Sequence, residues 1–407
     1  MTGISKYTIN AYIMGLYMFQ FGLFQPVASA FGSQAPIAVL SLILLSIALV
    51  NNGFRVKQYV YGGFLLSSVY FLLNALIHQK QMVLILSMYV EYFAKGFSGF
   101  VIGSLSVDHD ELYGVFGKMA IWNLAVTALF PFVSFLDSMN YMRFGYAILP
   151  SVLMLWFLSF GENGLDKKYT VFLFAGFALM VIYGSRGVLV SVFVFWLLLF
   201  LFSPRLRRFQ KFSILVFINA LIMIIVKYAV LTRVVEYAYF QLGIKSYSLM
   251  KYQRMLSGSF VAAMSGRDKI YSWALQFIRE SPVFGYGIAF LEYSTGYKAH
   301  NMFLQILVES GIFGFFVWLT IWLVALFWLG QISKSSVQLF KIVILFASIS
   351  TGRLLVSSDL WLRPEYWFAI SLLFNYRSEQ KYQMHRSRLM ELDRGISAQA
   401  HLNVTRE

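Results

Sequence analysis

Apolar segments long enough to cross a membrane recur from one end of the sequence to the other, and they constrain the fold more than any other feature. The hydrocarbon core of a bilayer needs about 20 such residues per helix. Only 13% of the 407 residues are charged, against about 25% in soluble proteins. We therefore predict an all-α, polytopic membrane protein with about twelve transmembrane helices. The predicted spans are residues 8–31, 36–50, 59–77, 82–104, 119–137, 142–160, 169–184, 187–203, 212–231, 301–329, 339–356 and 364–376.

Lysine and arginine are distributed unevenly between the segments that join these spans. Cytoplasmic loops carry an excess of both residues, and the densest cluster is Arg205, Arg207, Arg208 and Lys211. Placing that cluster inside makes both termini cytoplasmic and puts residues 232–300 outside. The net charge of +15 then reflects loops that face anionic lipid, and no nucleic-acid partner is expected. The short outer loops hold fewer cations: Lys80, Arg143, Arg186, Arg353 and Arg363.

This topology divides the chain into four parts. We predict transmembrane helices 1–9 over residues 1–231 and an extracytoplasmic catalytic loop over 232–300. Helices 10–12 follow over 301–376, and residues 377–407 form a cytoplasmic tail. There are no cysteines, which excludes disulfides and cysteine-based metal sites.

Two features within the N-terminal spans allow more than one interpretation. Ala28-Ser29-Ala30 resembles a signal-peptidase site, but the apolar stretch before it is long and contains glutamines, so we favour an uncleaved first span. Glu91 and Lys95 weaken the fourth span. Their i,i+4 spacing would let them pair inside the helix bundle.

The loop at 232–300 is too long for a simple connection. Loops of this length are usually functional or disordered, and a predicted amphipathic helix argues against disorder. Ser265 and Asp268 resemble a capping box at its start, and Pro282 would end it. The apolar residues assigned to one face of this helix are Trp273, Leu275, Phe277 and Ile278.

Arg186 and Arg267 are candidates for binding an anion. Arg186 lies between two spans at the predicted outer face, and Arg267 lies near the start of the loop helix. A guanidinium offers a planar fork to phosphate oxygens and stays charged, and helix N-termini also favour anions. The alternatives are a membrane-surface anchor for Arg186 and a local ion pair with Asp268 or a lipid-headgroup contact for Arg267.

His300 and Asn301 lie immediately before the tenth predicted span. A neutral imidazole accepts a proton from a hydroxyl at ambient pH. Asn301 could orient the imidazole ring or cap the helix that follows. The alternative for His300 is a histidine at the edge of a loop that makes one hydrogen bond.

A metal site and a nucleotide site are both disfavoured by the sequence. Asp108-His109-Asp110-Glu111 resembles metal-ligand spacing, but it is predicted in a cytoplasmic loop, and no second histidine cluster accompanies it. We find no Walker loop, no Ser-His-Asp order, no nucleotide fingerprint and no pair of catalytic carboxylates. This argues against an ordinary cytoplasmic glycosyltransferase.

Three motifs, taken in order, resemble the O-antigen ligase/polymerase superfamily of bacterial envelope proteins. The first is Ser185-Arg186-Gly187 at an outer helix end. The second and third lie further along the chain. The second runs through the predicted loop helix, and the third follows it. They are Gly266-Arg267 followed by Trp273, Pro282, Gly285 and Gly287, and His300-Asn301 followed by Gly311 and Gly314.

The resemblance implies a GT-C-like membrane glycosyltransferase of the bacterial inner membrane. Its donor would be an undecaprenyl-pyrophosphate-linked oligosaccharide, whose lipid pyrophosphate leaves when an acceptor hydroxyl attacks the anomeric carbon. By resemblance, Arg186 and Arg267 would bind the pyrophosphate, and His300 would help activate the acceptor. No metal or other cofactor is required. Residues given a supporting role are Arg254, Lys269 and Asn301.

The superfamily contains two activities that share this residue set. A polymerase transfers the chain to another lipid-linked repeat unit, and a ligase transfers it to lipid A–core. We favour a polymerase of O-antigen or capsule, because the first half shows no ligase-specific feature. A flippase for lipid-linked oligosaccharides is a further alternative, but the single long loop breaks the repeat symmetry common in transporters. Expected partners are membrane lipid, a flippase and chain-length regulator proteins.

Overall fold

The structure, a computed structural model, describes residues 5–130, 141–161, 164–203, 236–241, 243, 249–250, 267–356 and 359–382. Several predicted features lie outside these residues: the basic cluster at residues 205–211, the ninth span, Arg254, Ser265, Gly266 and the tail beyond residue 382.

Helices make up most of the described chain. The first half contains α1 Lys6–Leu23, α2 Gln25–Ala30, α3 Ala35–Asn51, α4 Gln58–Ile77, α5 Met82–Tyr92, α6 Ser98–Gly103, α7 His109–Ala128, α8 Tyr141–Ser159, α9 Lys167–Tyr183 and α10 Arg186–Phe202. The second half contains α11 Arg267–Glu280, α12 Phe290–Thr295, α13 Met302–Ser335, α14 Val337–Val356 and α15, residues 364–382. A 3₁₀ turn at Gln79–Gln81 and π-helical turns at Phe93–Phe97 and Tyr237–Gln241 complete the helical residues. The strands β1 Phe160–Gly161 and β2 Gly164–Leu165 pair antiparallel as a two-residue ladder between α8 and α9.

The all-α, polytopic prediction agrees with this architecture. By length and composition, four helices of the described chain could cross a membrane: Gln58–Ile77, Met142–Ser159, Met302–Ser335 and Val337–Val356. Ala35–Asn51 and Gly187–Phe202 are shorter apolar helices. The count of twelve spans stays a prediction.

Side-chain caps set several of the helix starts. Ser5 accepts a hydrogen bond from the backbone N–H of Thr8 at 3.1 Å, and Asp166 accepts one from Lys168 at 2.9 Å. Each cap satisfies a backbone donor that has no partner within its helix.

The predicted metal-like motif is also a helix cap. One carboxylate oxygen of Asp108 accepts from the N–H groups of Asp110 and Glu111 at 3.0 and 2.9 Å. The motif therefore starts α7, which begins ten residues before the predicted span, and it does not form a loop. Within the described residues, no group of three or more His, Asp or Glu side chains is placed to hold a metal ion.

The main core lies where α1, α7, α8, α10 and α14 pack together. Small residues allow close contact: a Cβ added at Gly352 of α14 would lie 2.4 Å from the Ser191 Cα of α10. One buried amide bonds between helices: Asn123 of α7 donates to the Ala147 carbonyl at 2.8 Å and to Ser151 at 2.7 Å, both on α8. Such pairing is required where no water reaches the backbone.

Glu91 and Lys95 form the predicted i,i+4 ion pair, with a separation of 2.6 Å. Its predicted position inside the bundle is wrong, because the two side chains are 46% and 53% exposed. A π-helical turn begins at Phe93, and the pair lies on the outer side of this irregular segment.

Candidate functional site

The predicted amphipathic helix in the long loop is confirmed as α11. It ends at Glu280, directly before Pro282. Its inner face packs against α12 and the start of α13 through a cluster of Ile270, Ala274, Leu291, Ala299 and Val308, with Phe277 and Ile278 at the edge. The assignment of Leu275 to that face is wrong, since its side chain is 47% exposed. The packed positions follow i, i+4, i+7 and i+8 spacing from Ile270, as one helical face requires.

α13 is broken at Gly311, whose backbone angles are φ 61° and ψ −162°. In an unbroken helix, the N–H of residue i donates to the carbonyl of residue i−4. Ile312 and Phe313 donate instead to the carbonyls of Pro282 and Val283, at 2.9 and 3.1 Å. The break therefore turns two backbone donors of α13 towards the segment after α11.

The same segment also donates to the carbonyls that the break releases. Tyr286 donates to the Val308 carbonyl and Gly287 to the Glu309 carbonyl, both at 2.8 Å. We call residues 281–287 the exchange turn, because they supply the two donors and the two acceptors that the broken helix lacks. The backbone groups at the break are thus satisfied by another part of the chain.

Glycines permit this close contact between two backbones. A Cβ at Gly311 would lie 2.3 Å from the Val283 carbonyl oxygen. One at Gly285, which has φ 69°, would lie 2.6 Å from both the Val308 oxygen and the Ser310 nitrogen. Side chains at these positions would meet backbone atoms that cannot move away.

The N-terminal half of the chain holds the exchange turn from its other side. Asn74 of α4 accepts from the N–H of Ile288 at 3.2 Å, and Gln81 donates to the Tyr286 carbonyl at 3.1 Å. The His78 ring lies against Gly287, where an added Cβ would be 2.3 Å from its Cδ2. Burial lowers the pKa of His78, because a charged imidazolium is less well solvated there.

His300 and Asn301 lie where α12 leads into α13. The Asn301 side chain caps α13 by accepting from the N–H groups of Phe303 and Leu304 at 2.9 and 3.2 Å. His300 immediately precedes this cap, is half-buried and has a left-handed backbone with φ 52°. A positive φ is uncommon for a residue with a side chain and often marks a functional segment.

Two buried carboxylates lie near the start of α13, and sequence reasoning missed both: Glu309, two turns beyond Asn301, and Asp359, which follows α14. Glu309 accepts from the Ala289 N–H at 3.3 Å, from Gln305 Nε2 at 3.1 Å and from Trp361 Nε1 at 3.2 Å. Asp359 is also buried and accepts from the Trp361 N–H at 2.9 Å. Both line a cavity of 20 Å³, enough for one water molecule.

The mouth of this cavity is charged. Lys298 and Glu292, which also line it, form an ion pair of 3.3 Å. Both side chains are about one-third exposed. The charged pair therefore lines the same cavity as the two buried carboxylates, and Lys298 is two residues from His300 in the sequence.

Arg186 is the first residue of α10, and its side chain lies outside the described part of the chain. The backbone around it is tightly enclosed. A Cβ at Gly145 would be 2.9 Å from the Ser185 nitrogen, and one at Gly187 would be 2.8 Å from the Tyr146 hydroxyl. The small residues of this motif therefore bring α10 close to α8, as their composition predicts.

Two further arginines lie beside this helix start. The Arg353 guanidinium is 4.5 Å from the centre of the Tyr146 ring and forms a 3.0 Å ion pair with Glu365. Burial, and then the neighbouring Arg353, lower the pKa of Arg363 to about 10, so it stays protonated at neutral pH. Its buried Nε has no hydrogen-bond partner among the described residues. The sequence identified both arginines only as loop charges.

The two groups of candidate residues are linked by packing. Met302, next to Asn301, shares an apolar cluster with Leu354 and Leu360, and Gln305 accepts from the Leu360 N–H at 3.1 Å. The start of α13 is thus fixed against the end of α14, which carries Arg353. Arg267 is half-buried and Lys269 exposed at the other end of α11. That Arg186, Arg267 and His300 act at one site stays a prediction.

Residues 170–319 match the family model described as O-antigen ligase. The matched segment includes all three motifs and every site residue predicted from the sequence. The resemblance to the O-antigen ligase/polymerase superfamily is thereby confirmed for this part of the chain. None of the curated proteins matches the sequence significantly.

Proposed function

We propose that the protein is a polysaccharide repeat-unit polymerase of this superfamily, acting on O-antigen or capsule. It transfers a glycan from undecaprenyl pyrophosphate to a lipid-linked acceptor. The observation that carries the proposal is the O-antigen ligase match over residues 170–319, a segment that ends within α13 and includes the exchange turn.

The proposed chemistry follows from the groups available. The acceptor hydroxyl attacks the anomeric carbon, the bond from that carbon to the pyrophosphate oxygen breaks, and lipid pyrophosphate leaves with the electron pair. Arg186 and Arg267 stabilise the charge that builds on the leaving group. His300 accepts the proton of the hydroxyl. Arg254, Lys269 and Asn301 support these residues, and no cofactor enters the reaction.

The proposed setting is the outer face of the bacterial inner membrane. The chain crosses the membrane about twelve times with both termini in the cytoplasm, residues 232–300 outside and residues 377–407 inside. This orientation rests on the lysine and arginine distribution. It also places the candidate residues on the side where lipid-linked repeat units are exposed after a flippase has moved them, and where chain-length regulators would act.

The alternative is an O-antigen ligase, which transfers the same donor glycan to lipid A–core. The description of the matched family model names this activity. Both reactions use a lipid-pyrophosphate donor and a hydroxyl acceptor, so both fit the same residues. The two differ in the acceptor. A flippase is the third and weakest candidate.

Deletion of the gene followed by electrophoresis of the polysaccharide separates the three candidates. A polymerase mutant carries a single repeat unit on the lipid core. A ligase mutant accumulates long chains that stay lipid-linked, and a flippase mutant exports no lipid-linked unit. Normal chain length and normal attachment would contradict all three.

Point variants then test the proposed residues in the deletion strain. His300→Ala, Arg186→Ala and Arg267→Ala should each abolish complementation, with the protein present at wild-type level in membranes. Arg267→Lys keeps the charge but loses the planar fork, so we expect at least a tenfold loss of activity. Near-normal activity of Arg267→Lys would contradict bidentate phosphate binding.

A further inference from the structure

A second polar cleft lies at the end of the bundle remote from the exchange turn. α4 ends near that turn, where Asn74 contacts Ile288, and it begins at Gln58, which lines the cleft together with Lys57. Twenty helical residues rise about 30 Å, so the cleft is separated from the exchange turn by roughly the thickness of a bilayer core. It is therefore not part of the proposed catalytic site.

The cleft has a volume of 880 Å³ and is formed by the starts and ends of helices. This volume lies within the range of about 300–1,000 Å³ that is typical of small-molecule sites. Three cations, Lys57, Arg377 and Lys381, line it together with one carboxylate, Glu379. The lining charge of the described residues is therefore positive.

The cations differ in their partners. Lys57 donates to Glu379 at 2.9 Å and also to Asn375, so its charge is compensated within the wall. Within the described part of the chain, neither Arg377 nor Lys381 is paired with a carboxylate. Arg377 makes one long hydrogen bond, to Gln380 at 3.4 Å. Two cations of the cleft are thus available to an anion.

Aromatic rings form the remaining wall. Phe374 stacks on Tyr59 at 5.5 Å and meets Trp328 edge-on at 5.1 Å. Tyr382 is 68% exposed at the cleft. Tryptophan and tyrosine are enriched where membrane helices reach the headgroup layer, and basic pockets between such helices bind anionic lipid headgroups.

We propose that this cleft binds the phosphate headgroup of an anionic phospholipid. Arg377 and Lys381 contact the phosphate, and the ring wall of Trp328, Phe374 and Tyr382 contacts the glycerol backbone and upper acyl chains. The charge balance of the wall selects an anionic lipid over a zwitterionic one. The ion pair of Lys57 with Glu379 fixes the wall and does not bind the ligand.

The test measures binding of phosphatidylglycerol and phosphatidylcholine to the purified, delipidated full-length protein by native mass spectrometry. Wild type should bind one phosphatidylglycerol in preference to phosphatidylcholine. Each near-surface cation contributes about fivefold to binding an anionic lipid. We therefore expect Arg377→Ala or Lys381→Ala to weaken phosphatidylglycerol binding about fivefold, and the double variant about 25-fold.

Lys334→Ala is the matched control, because Lys334 is an exposed cation at the end of α13 that does not line the cleft. It should leave phosphatidylglycerol binding unchanged. The melting temperature of each variant in detergent shows whether it is folded. Equal binding of the two lipids, or unchanged binding by the folded double variant, would overturn the proposal.

Two further experiments test whether free phosphate or the C-terminal tail occupies the cleft instead of a lipid. Inorganic phosphate at the same concentration should not displace phosphatidylglycerol, and displacement would assign the cleft to free phosphate. Glu391→Gln combined with Asp393→Asn removes two acidic charges from the tail. Unchanged lipid binding supports the proposal, whereas a tenfold rise would assign the cleft to the tail itself.

Discussion

Two helical segments of this protein depart from regular geometry at glycines, and they use glycine differently. At Gly311, α13 breaks and exchanges hydrogen bonds with the exchange turn. In the segment from α5 to α6, the helix widens into a π-helical turn but does not break. There Gly96, Gly99 and Gly103 lie on one face, and added Cβ atoms would meet backbone oxygens of Trp361, Pro364 and Phe368 at 2.3 to 2.8 Å.

The difference shows what a glycine in an apolar helix can mean. In α5–α6 the glycines make a flat surface against which the start of α15 packs, so their role there is to allow close helix packing. At Gly311 the glycine has a backbone conformation and a close contact that no other residue allows. The first use stabilises the bundle, whereas the second positions a loop that carries candidate functional residues.

The largest effect is expected for Gly311→Ala. The added Cβ would meet the Val283 carbonyl, and φ 61° with ψ −162° is essentially restricted to glycine. We expect the variant to lose the exchange turn and all polysaccharide activity, measured by complementation. Gly330→Ala in the same helix is the control, since its nearest neighbour would be 3.7 Å away. An active Gly311→Ala protein would contradict the exchange of hydrogen bonds.

Gly99→Ala tests the packing segment and should have a smaller effect. The Cβ would lie 2.5 Å from the Pro364 oxygen, and overpacking of this kind costs about 1–3 kcal/mol. We expect a lower melting temperature, with activity per folded molecule retained. Gly62→Ala, which meets nothing within 4 Å, should melt like wild type. If Gly99→Ala abolished activity without lowering the melting temperature, the two segments would not differ as described.

Asn301→Ala removes the side-chain cap at the N-terminus of α13. Loss of such a cap costs about 1 kcal/mol, and it also frees the backbone next to His300. We therefore expect a modest fall in melting temperature together with a larger fall in activity. Asn301→Asp restores an acceptor for the Phe303 and Leu304 N–H groups and should recover most of both. Failure of Asn301→Asp to rescue would mean that the amide itself is needed.

The smallest effect is a pH dependence of stability at the exchange turn. The folded protein lowers the pKa of His78, so the unfolded chain binds the proton more readily. Stability from the neutral ring is complete above the ordinary histidine pKa and is lost as the pH falls below it. Between pH 7.5 and 5.5, the melting temperature of wild type should fall more than that of His78→Gln. An identical fall in melting temperature for both proteins would show that His78 does not cause the pH dependence.

Local features of the long loop could be predicted from the sequence, since they depend on neighbouring residues. The amphipathic helix, its end before Pro282 and the cap at Asn301 all follow from short-range spacing and hydrogen bonding. Leu275 was misassigned because the apolar cluster at 273–278 is wider than the packed face. The true face includes Ile270 and Ala274, one turn earlier.

Features that depend on distant segments could not be predicted in this way. The Tyr286 N–H donates to the Val308 carbonyl, and no side-chain pattern predicts which two backbones will meet. In the sequence, Glu309 is a polar residue in a largely apolar segment. It becomes a buried acceptor because Trp361 and Ala289, from other parts of the chain, donate hydrogen bonds to it. The pKa of Arg363 is likewise lowered by burial and then by Arg353 of α14, neither of which its own neighbours in the sequence indicate.

The exchange of hydrogen bonds has a consequence for biogenesis. Residues 281–287 precede α13 in the chain, so they are synthesised before the helix that needs them. A break in hydrocarbon leaves backbone groups unsatisfied at a cost of several kcal/mol each. We therefore expect α13 to be stable in hydrocarbon only once residues 281–287 have docked on it, and the order of synthesis makes that partner available before the helix.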